Sequence, residues 1–209
     1  MSDPFIVAIV GQIGSGKTVL AERLIHLWRY KFDVIVWISP TYGLQSSGIQ
    51  IRDHTGIVVF DTLSLENLEI IREHQVKRNL ERIKNGEPPS RMLLVLDDNG
   101  TKTRKLLEGG KLDDILIKCR HQKVNIIQLS QRYTQLSPTL RMNAKFIILF
   151  AECNPLERRI LYNNHGFGTK EHFFGTIDKK TTKKKHSWIG IKGYPQPYQF
   201  FTAQDGYLL

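Results

Sequence analysis

Phe5-Ile6-Val7-Ala8-Ile9-Val10 runs straight into Gly11-Gln12-Ile13-Gly14-Ser15-Gly16-Lys17-Thr18, and the reading of this stretch decides the fold. A continuous apolar run that stops at a glycine is the pattern of a strand buried on both faces inside a parallel sheet. The residues after it fit GxxxxGK[ST], and Thr18 to Tyr30 has helical spacing, so the motif stands between a strand and a helix as its chemistry requires. Glycines at 11, 14 and 16 let the backbone turn tightly enough for successive N–H groups and the helix N-terminus to face phosphate oxygens. Gly11, Gly14, Ser15 and Gly16 form the cradle, Lys17 reaches the β- and γ-phosphates of a nucleotide, and Thr18 holds Mg²⁺.

Outward from this loop, four further runs have the same texture: Val34–Ile38, Met92–Leu96, Asn125–Leu129 and Lys145–Phe150, with Gly56–Phe60 as a weaker strand. Helical spacing fills the intervals at Leu65, Leu68, Ile71 and on to Ile83, and at Leu112, Ile115, Leu116 and Cys119. Alternating strand and helix predict an α/β fold with a mostly parallel central sheet flanked by helices. Asn85-Gly86 with Pro88-Pro89 closes the second helix, and Ser137-Pro138 and Asn154-Pro155 each set a capping side chain before a first-turn proline, Asn154 with Glu157 forming a capping box. After Asn164 the texture turns to Gly, Phe and Lys, with Lys179-Lys180 and Lys183-Lys184-Lys185, then a hairpin of Ser187–Lys192 and Tyr198–Thr202 around Gly193-Tyr194-Pro195. Residues 1–164 are expected to form the core and 165–209 a basic, aromatic extension packed on it.

The composition agrees with one globular unit of ordinary size. The chain has 209 residues, of which 41% are hydrophobic and 24% charged, which excludes both a disordered and a fibrous protein. Its two cysteines, Cys119 and Cys153, provide neither a disulfide framework nor a zinc knuckle, and the scattered histidines show no ligand spacing. No apolar run approaches the roughly 20 residues of a membrane span, and an acidic residue stands where a signal peptide would be basic. The formal charge of +10 invites a polyanionic partner such as nucleic acid or an acidic membrane surface, and charge alone does not choose between them.

Two further strand ends carry chemistry. Arg91-Met-Leu-Leu-Val-Leu-Asp97-Asp98 is an apolar strand ending in two carboxylates, which in a parallel sheet emerge at the carboxyl edge, as the phosphate loop does. Asp97 is expected to hold the Mg²⁺ shell and Asp98 to orient and deprotonate an attacking water. The next strand ends Leu129-Ser130-Gln131-Arg132, placing the Gln131 amide where it senses the γ-phosphate if that strand neighbours the first. Arg120 closes a helix before it and is a candidate arginine finger, with Arg141 and Arg132 as competitors. The lysine run at 179–185 reads either as a DNA contact or as a solvated turn. The aromatics around it, Phe167, Phe173, Phe174, Trp188, Tyr194 and Tyr198, read as a small core or a subunit contact rather than base-stacking platforms.

In order and spacing, these motifs resemble those of the FtsK-HerA superfamily of DNA-translocating ATPases, and within it the genome-packaging ATPases of poxvirus-like and other double-jelly-roll viruses. The resemblance covers residues 5 to 164 and rests on Gly11–Thr18, Leu93–Asp98, Arg120-His121 and Leu129–Arg132, followed by a proline-containing helix, Arg141 and the strand KFIILF. It implies a P-loop NTPase core of the RecA-like ASCE type that hydrolyses ATP with Mg²⁺ and moves double-stranded DNA as a homo-oligomeric ring, with capsid or portal-vertex proteins as partners. It further implies Gln131 as sensor, Arg120 as a finger given to the neighbouring subunit, and a place in the host cytoplasm or viral factory, and in the virion. Asp98 departs from the Glu common at that position, and the tail after Asn164 lies outside the resemblance. A cellular-type translocase of the same superfamily is the alternative. A small-molecule P-loop kinase fits less well, because the acid pair and the strand-terminal Gln suit water-attacked ATP and no acceptor lid is visible.

Overall fold

In the computed structural model, residues 4–40, 56–97, 117–118, 121–150, 154–181, 186–193 and 198–202 are described. The chain divides into two compact units, one of Met1–Phe5 with Ile25–Ile127, the other of Ile6–Leu24 with Gln128–Leu209.

The first unit holds β2 (Val34–Ile38), β3 (Ile57–Phe60), β4 (Met92–Leu96) and the opening of β5 (Val124–Ser130), in the order β3-β2-β4-β5. β2 pairs in parallel with β3 and with β4, and the register sets Ile38 level with both Phe60 and Leu96, so three carboxyl ends finish together. Every residue of β4 is buried, which is why its sequence is apolar without alternation. The helix α2 (Leu65–Lys84) starts at Ser64, whose hydroxyl accepts from the Asn67 amide at 3.0 Å. Its buried stripe is Leu68, Ile71, Gln75 and Asn79. The two polar members have partners at the foot of the strands: Gln75 Nε2 donates to the Ser90 carbonyl at 2.8 Å and Asn79 Nδ2 to the Gln122 carbonyl at 3.1 Å. Asn125 does the same at the start of β5, accepting from the Phe5 amide and donating to the Met92 carbonyl, each at 3.1 Å. The helix expected around Leu112–Cys119 lies outside the described residues except for Ile117 and Lys118, which are helical.

The second unit holds the end of β5, β1 (Ile6–Val10), β6 (Phe146–Leu149), β7 (Ile189–Lys192) and β8 (Gln199–Phe201), in the order β5-β1-β6-β7-β8. β1 and β6 are parallel, with Val10 level with Leu149, whereas β6–β7 and β7–β8 are antiparallel. The expected hairpin is therefore present, and its first strand pairs directly with the last strand of the parallel set. Of its turn, residues 194–197 are outside the described residues. Gly190 has a steric reason within it, since a Cβ there would come within 2.1 Å of the Phe201 ring.

Opening with α1 (Lys17–Trp28), the helices continue with α3 (Pro138–Asn143), α4 (Pro155–His165) and α5 (Lys170–Thr181). The caps read from sequence are in place, with Ser137 accepting from the Leu140 amide at 3.0 Å and Asn154 from the Glu157 amide at 2.9 Å, the Glu157 carboxylate returning to the Asn154 amide at 3.3 Å. α5 was not foreseen from the Gly, Phe and Lys texture of this region. It buries Phe173, Ile177 and Thr181 at a spacing of four and starts at Thr169, whose hydroxyl accepts from the His172 amide at 3.2 Å. Phe173 is fully buried, with the rings of Tyr162, Phe167, Phe174 and Phe200 at 5.1 to 5.5 Å. These rings join Ala8, Val10, Ile147, Leu149 and Ile191 in one cluster, so Phe167, Phe173, Phe174 and Phe200 of the extension belong to a core, while Tyr194 lies outside the described residues. Among the described residues no helix is long and apolar enough to cross a membrane.

His165, 1% exposed, lies between the rings of Tyr133 and Tyr198 at 6.2 and 5.8 Å. Burial pushes its pKa down to about 4; the backbone of Arg141 opposes this and the Arg141 charge adds to it. The unfolded chain binds a proton at this residue near pH 6.5 while the fold resists it, so its stabilising effect is complete above pH 6.5 and is lost as pH falls towards 4. The melting temperature should therefore drop over that interval by the equivalent of about 3 kcal/mol more than in His165→Phe, which has no proton to bind. Parallel pH profiles for the two proteins would remove this residue from the account of acid stability.

Candidate phosphate-binding site

The loop after β1 is held from both sides. The Gly11 amide donates to the Ser130 carbonyl at the end of β5 at 3.0 Å, and the Phe150 amide beyond β6 donates to the Val10 carbonyl at 2.9 Å. β5 therefore neighbours β1, the condition on which the reading of Gln131 depended, and Gln131 is the residue immediately past the Gly11 contact.

Close packing fixes Gly11, and backbone conformation fixes Gly14 and Gly16. A Cβ on Gly11 would lie 2.7 Å from both the Phe150 Cβ and the Ser15 Oγ, so no larger residue fits. Gly14 and Gly16 have φ of +75° and +100°, backbone conformations that side chains rarely adopt. Between them the Ser15 amide donates to the Gln12 carbonyl at 3.2 Å, and α1 begins at Lys17 with the Leu20 amide donating to the Gly16 carbonyl at 3.0 Å.

Lys17 is buried, and its Nζ donates to the Gln12 carbonyl at 2.9 Å, which folds the ammonium back over the loop. Among the described residues the buried Ser15 Oγ has no hydrogen-bond partner. A buried hydroxyl in that state costs stability unless something accepts from it, and the oxygen of an anion does so. The first turn of α1 holds no acidic residue to compete with such an anion, and Thr18, half-buried, is its second residue. The loop thus offers glycine-permitted amides, a hydroxyl and an ammonium, a donor set that fits the phosphates of a nucleotide.

Past β5 the chain is locked in a tight turn. Ser130 Oγ donates to the Arg132 carbonyl at 2.9 Å and lies 3.2 Å from the Gln135 Oε1, which also accepts from the Arg132 amide at 3.1 Å. Of the competing arginines, Arg132 is exposed, while the Arg141 guanidinium stacks over Tyr133 at 5.5 Å. In the first unit Asp97 follows β4 and is 1% exposed, its amide donating to the Ile38 carbonyl at 2.9 Å and its Oδ2 facing the Ser39 Oγ at 3.5 Å. Ser39, fully buried at the end of β2, was not singled out in the sequence; the parallel register of β2 with β4, which puts Ser39 beside Asp97, is what reveals it. Asp98 and Arg120 lie outside the described residues. A second unforeseen neighbour is His186, whose Nδ1 lies 2.9 Å from the Ser15 carbonyl oxygen.

Comparison with known proteins finds sequence relatives among viral proteins. "Uncharacterized protein 015R" of Frog virus 3 is 25% identical over 179 residues, 82% of this chain and 51% of that protein. "DNA packaging protein OPG160" of Vaccinia virus is 28% identical over 140 residues, 67% of this chain and 50% of that protein. The chain therefore spans about half the length of these curated relatives. Among solved structures, the genome packaging NTPase B204 from Sulfolobus turreted icosahedral virus 2 in complex with AMPPCP aligns over 97% of this chain and 99% of its own, with a TM-score of 0.62 and 17% identity. The pCW3 conjugation coupling protein TcpA with ATPgS aligns over 96% of this chain and 60% of its own, with a TM-score of 0.64 and 12% identity. At these identities the likeness is one of fold, and the P-loop fold expected from the sequence is the one found. A family profile described as Poxvirus A32 protein matches residues 1–180, which take in the phosphate loop, the acidic strand end and the Gln131 strand, and the chain belongs to that family.

Proposed function

We propose that this chain is the ATP-hydrolysing core of a motor that packages double-stranded viral DNA. The observation that carries the proposal is the phosphate loop, with Lys17 folded over it, a buried Ser15 hydroxyl lacking an acceptor among the described residues and Gly11 hydrogen-bonded to the end of β5 just before Gln131, in a chain of a family whose Vaccinia virus relative is named as a DNA packaging protein. Gly11, Gly14, Ser15, Gly16 and Lys17 would bind the ATP phosphates, and Thr18 with Asp97 would hold Mg²⁺, which supplies charge neutralisation at the transferred phosphoryl group. Asp98 is proposed as the base that orients water, Gln131 as the sensor and Arg120 as a finger given in trans within a homo-oligomeric ring. Capsid or portal-vertex proteins are the proposed docking partners, and the host cytoplasm or viral factory the place of action.

The test is ATP turnover with and without double-stranded DNA of random sequence, alongside the oligomer mass with nucleotide present. DNA should raise turnover several-fold, the effect should fall steeply with salt, and the mass should be a multiple of the chain's 24.2 kDa. Replacing Lys183, Lys184 and Lys185 together by Gln should flatten the salt dependence if the run touches phosphates, and leave it unchanged if it is a solvated turn. Turnover indifferent to DNA but raised by a small hydroxyl acceptor would replace the motor with a kinase.

A further inference from the structure

His186 occupies a place for which the phosphate loop alone gives no reason. It has a φ of +65°, one of two non-glycine residues with positive φ among those described, and it directly precedes the approach to β7. Histidine tolerates that region better than most side chains, but the conformation is uncommon and is retained where the surroundings demand it. What it achieves here is contact across the fold. The Nδ1 lies 2.9 Å from the Ser15 carbonyl oxygen, although 171 residues separate the two in sequence. The ring also lies over Gly16, where an added Cβ would meet its Nδ1 at 3.3 Å and its Cγ at 3.6 Å.

Because a carbonyl oxygen only accepts, the Nδ1 must carry the hydrogen and donate. In a trans peptide the C=O of one residue and the N–H of the next point in opposite directions. Anchoring the Ser15 carbonyl towards His186 therefore turns the Gly16 N–H to the opposite side of the same peptide plane. Gly16, at a φ of +100°, has no Cβ to hold that plane in place.

We propose that His186 is a positioning residue of the nucleotide site: it locks the Ser15–Gly16 peptide in the orientation that presents the Gly16 amide to a phosphate oxygen. This rests on the nucleotide-binding reading of the loop, and it makes the segment before β7 a working part of the site. The consequence is that residues beyond α5 influence ATP affinity without touching the phosphates.

The experiment measures affinity for a fluorescent ATP analogue, and the KM and kcat of turnover, in the full chain carrying His186→Gly, His186→Asn or Lys17→Ala. Glycine keeps the positive φ and deletes the ring, whereas asparagine tolerates the same φ and carries a short amide donor in place of Nδ1. His186→Gly should weaken binding and raise KM by about fivefold to tenfold, the range for a lost hydrogen bond, with kcat within about twofold and the melting temperature unchanged. His186→Asn should return most of the affinity. The proposal is overturned if His186→Gly binds within twofold of the parent while Lys17→Ala has lost binding, if the loss is confined to kcat, or if asparagine rescues nothing. Undiminished binding by Lys17→Ala would instead sink the nucleotide reading on which it rests.

Discussion

Lys17→Ala should bind ATP at least about a hundredfold more weakly than the parent and hydrolyse it about 10²–10³-fold more slowly, or not measurably. The lysine ammonium is a point charge that already sits across the loop, 2.9 Å from the Gln12 carbonyl oxygen, so moving to a phosphate requires only a change of acceptor. A positive charge prepared in this way in a part of the protein shielded from water gains much more from an approaching anion than one that must first be ordered and desolvated. Lys17 is 8% exposed, so a thermal melt is needed beside the binding measurement to separate loss of the site from loss of the fold. Binding by isothermal titration calorimetry and a thermal melt on the same sample decide the matter, and near-parent turnover in a folded Lys17→Ala protein would end the phosphate-loop assignment.

The same loop shows why some of this molecule is legible in its sequence. A strand buried on both faces must be apolar throughout, so β1, β2 and β4 appear in the sequence at almost their observed limits, and the glycines at 11, 14 and 16 record backbone needs that no other residue meets. Caps are equally local, since Asn154 and Glu157 are three residues apart and satisfy each other. What the sequence hides is what depends on distant partners. α5 contains Gly175 and has Lys179 and Lys180 in its last turn, and its Phe173, Ile177 and Thr181 stripe makes sense only once Tyr162 and Phe200 are there to cover it. The Ser39 hydroxyl is an ordinary strand-end serine until the register of β2 with β4 brings it to Asp97. His186 carries no signal whatever in one dimension: its contact spans almost the whole chain and depends on a backbone conformation that histidine seldom adopts.

Asp97→Asn is the other substitution with a large expected effect, and it asks what a carboxylate does at the buried end of β4. Asp97 is 1% exposed, and its backbone is already tied in by the bond from its amide to the Ile38 carbonyl, which the substitution leaves untouched. Asparagine has nearly the same volume and can accept from Ser39 through its amide oxygen as the Asp97 Oδ2 does, at 3.5 Å in the parent. Packing and the bond from Ser39 thus survive while the charge is lost. The melting temperature without ligands is the control that shows whether the fold survives as well. Turnover should fall by about 10²–10³-fold, because the developing charge on the transferred phosphoryl group would lose the cation that a carboxylate in this position is suited to hold. Nucleotide binding in the absence of magnesium should match the parent, while the extra affinity that magnesium confers should disappear. If Asp97→Asn instead melts at a much lower temperature and its remaining folded fraction turns over ATP at the parental rate, the carboxylate at the end of β4 serves the fold, and the cation site has to be sought elsewhere on the carboxyl edge.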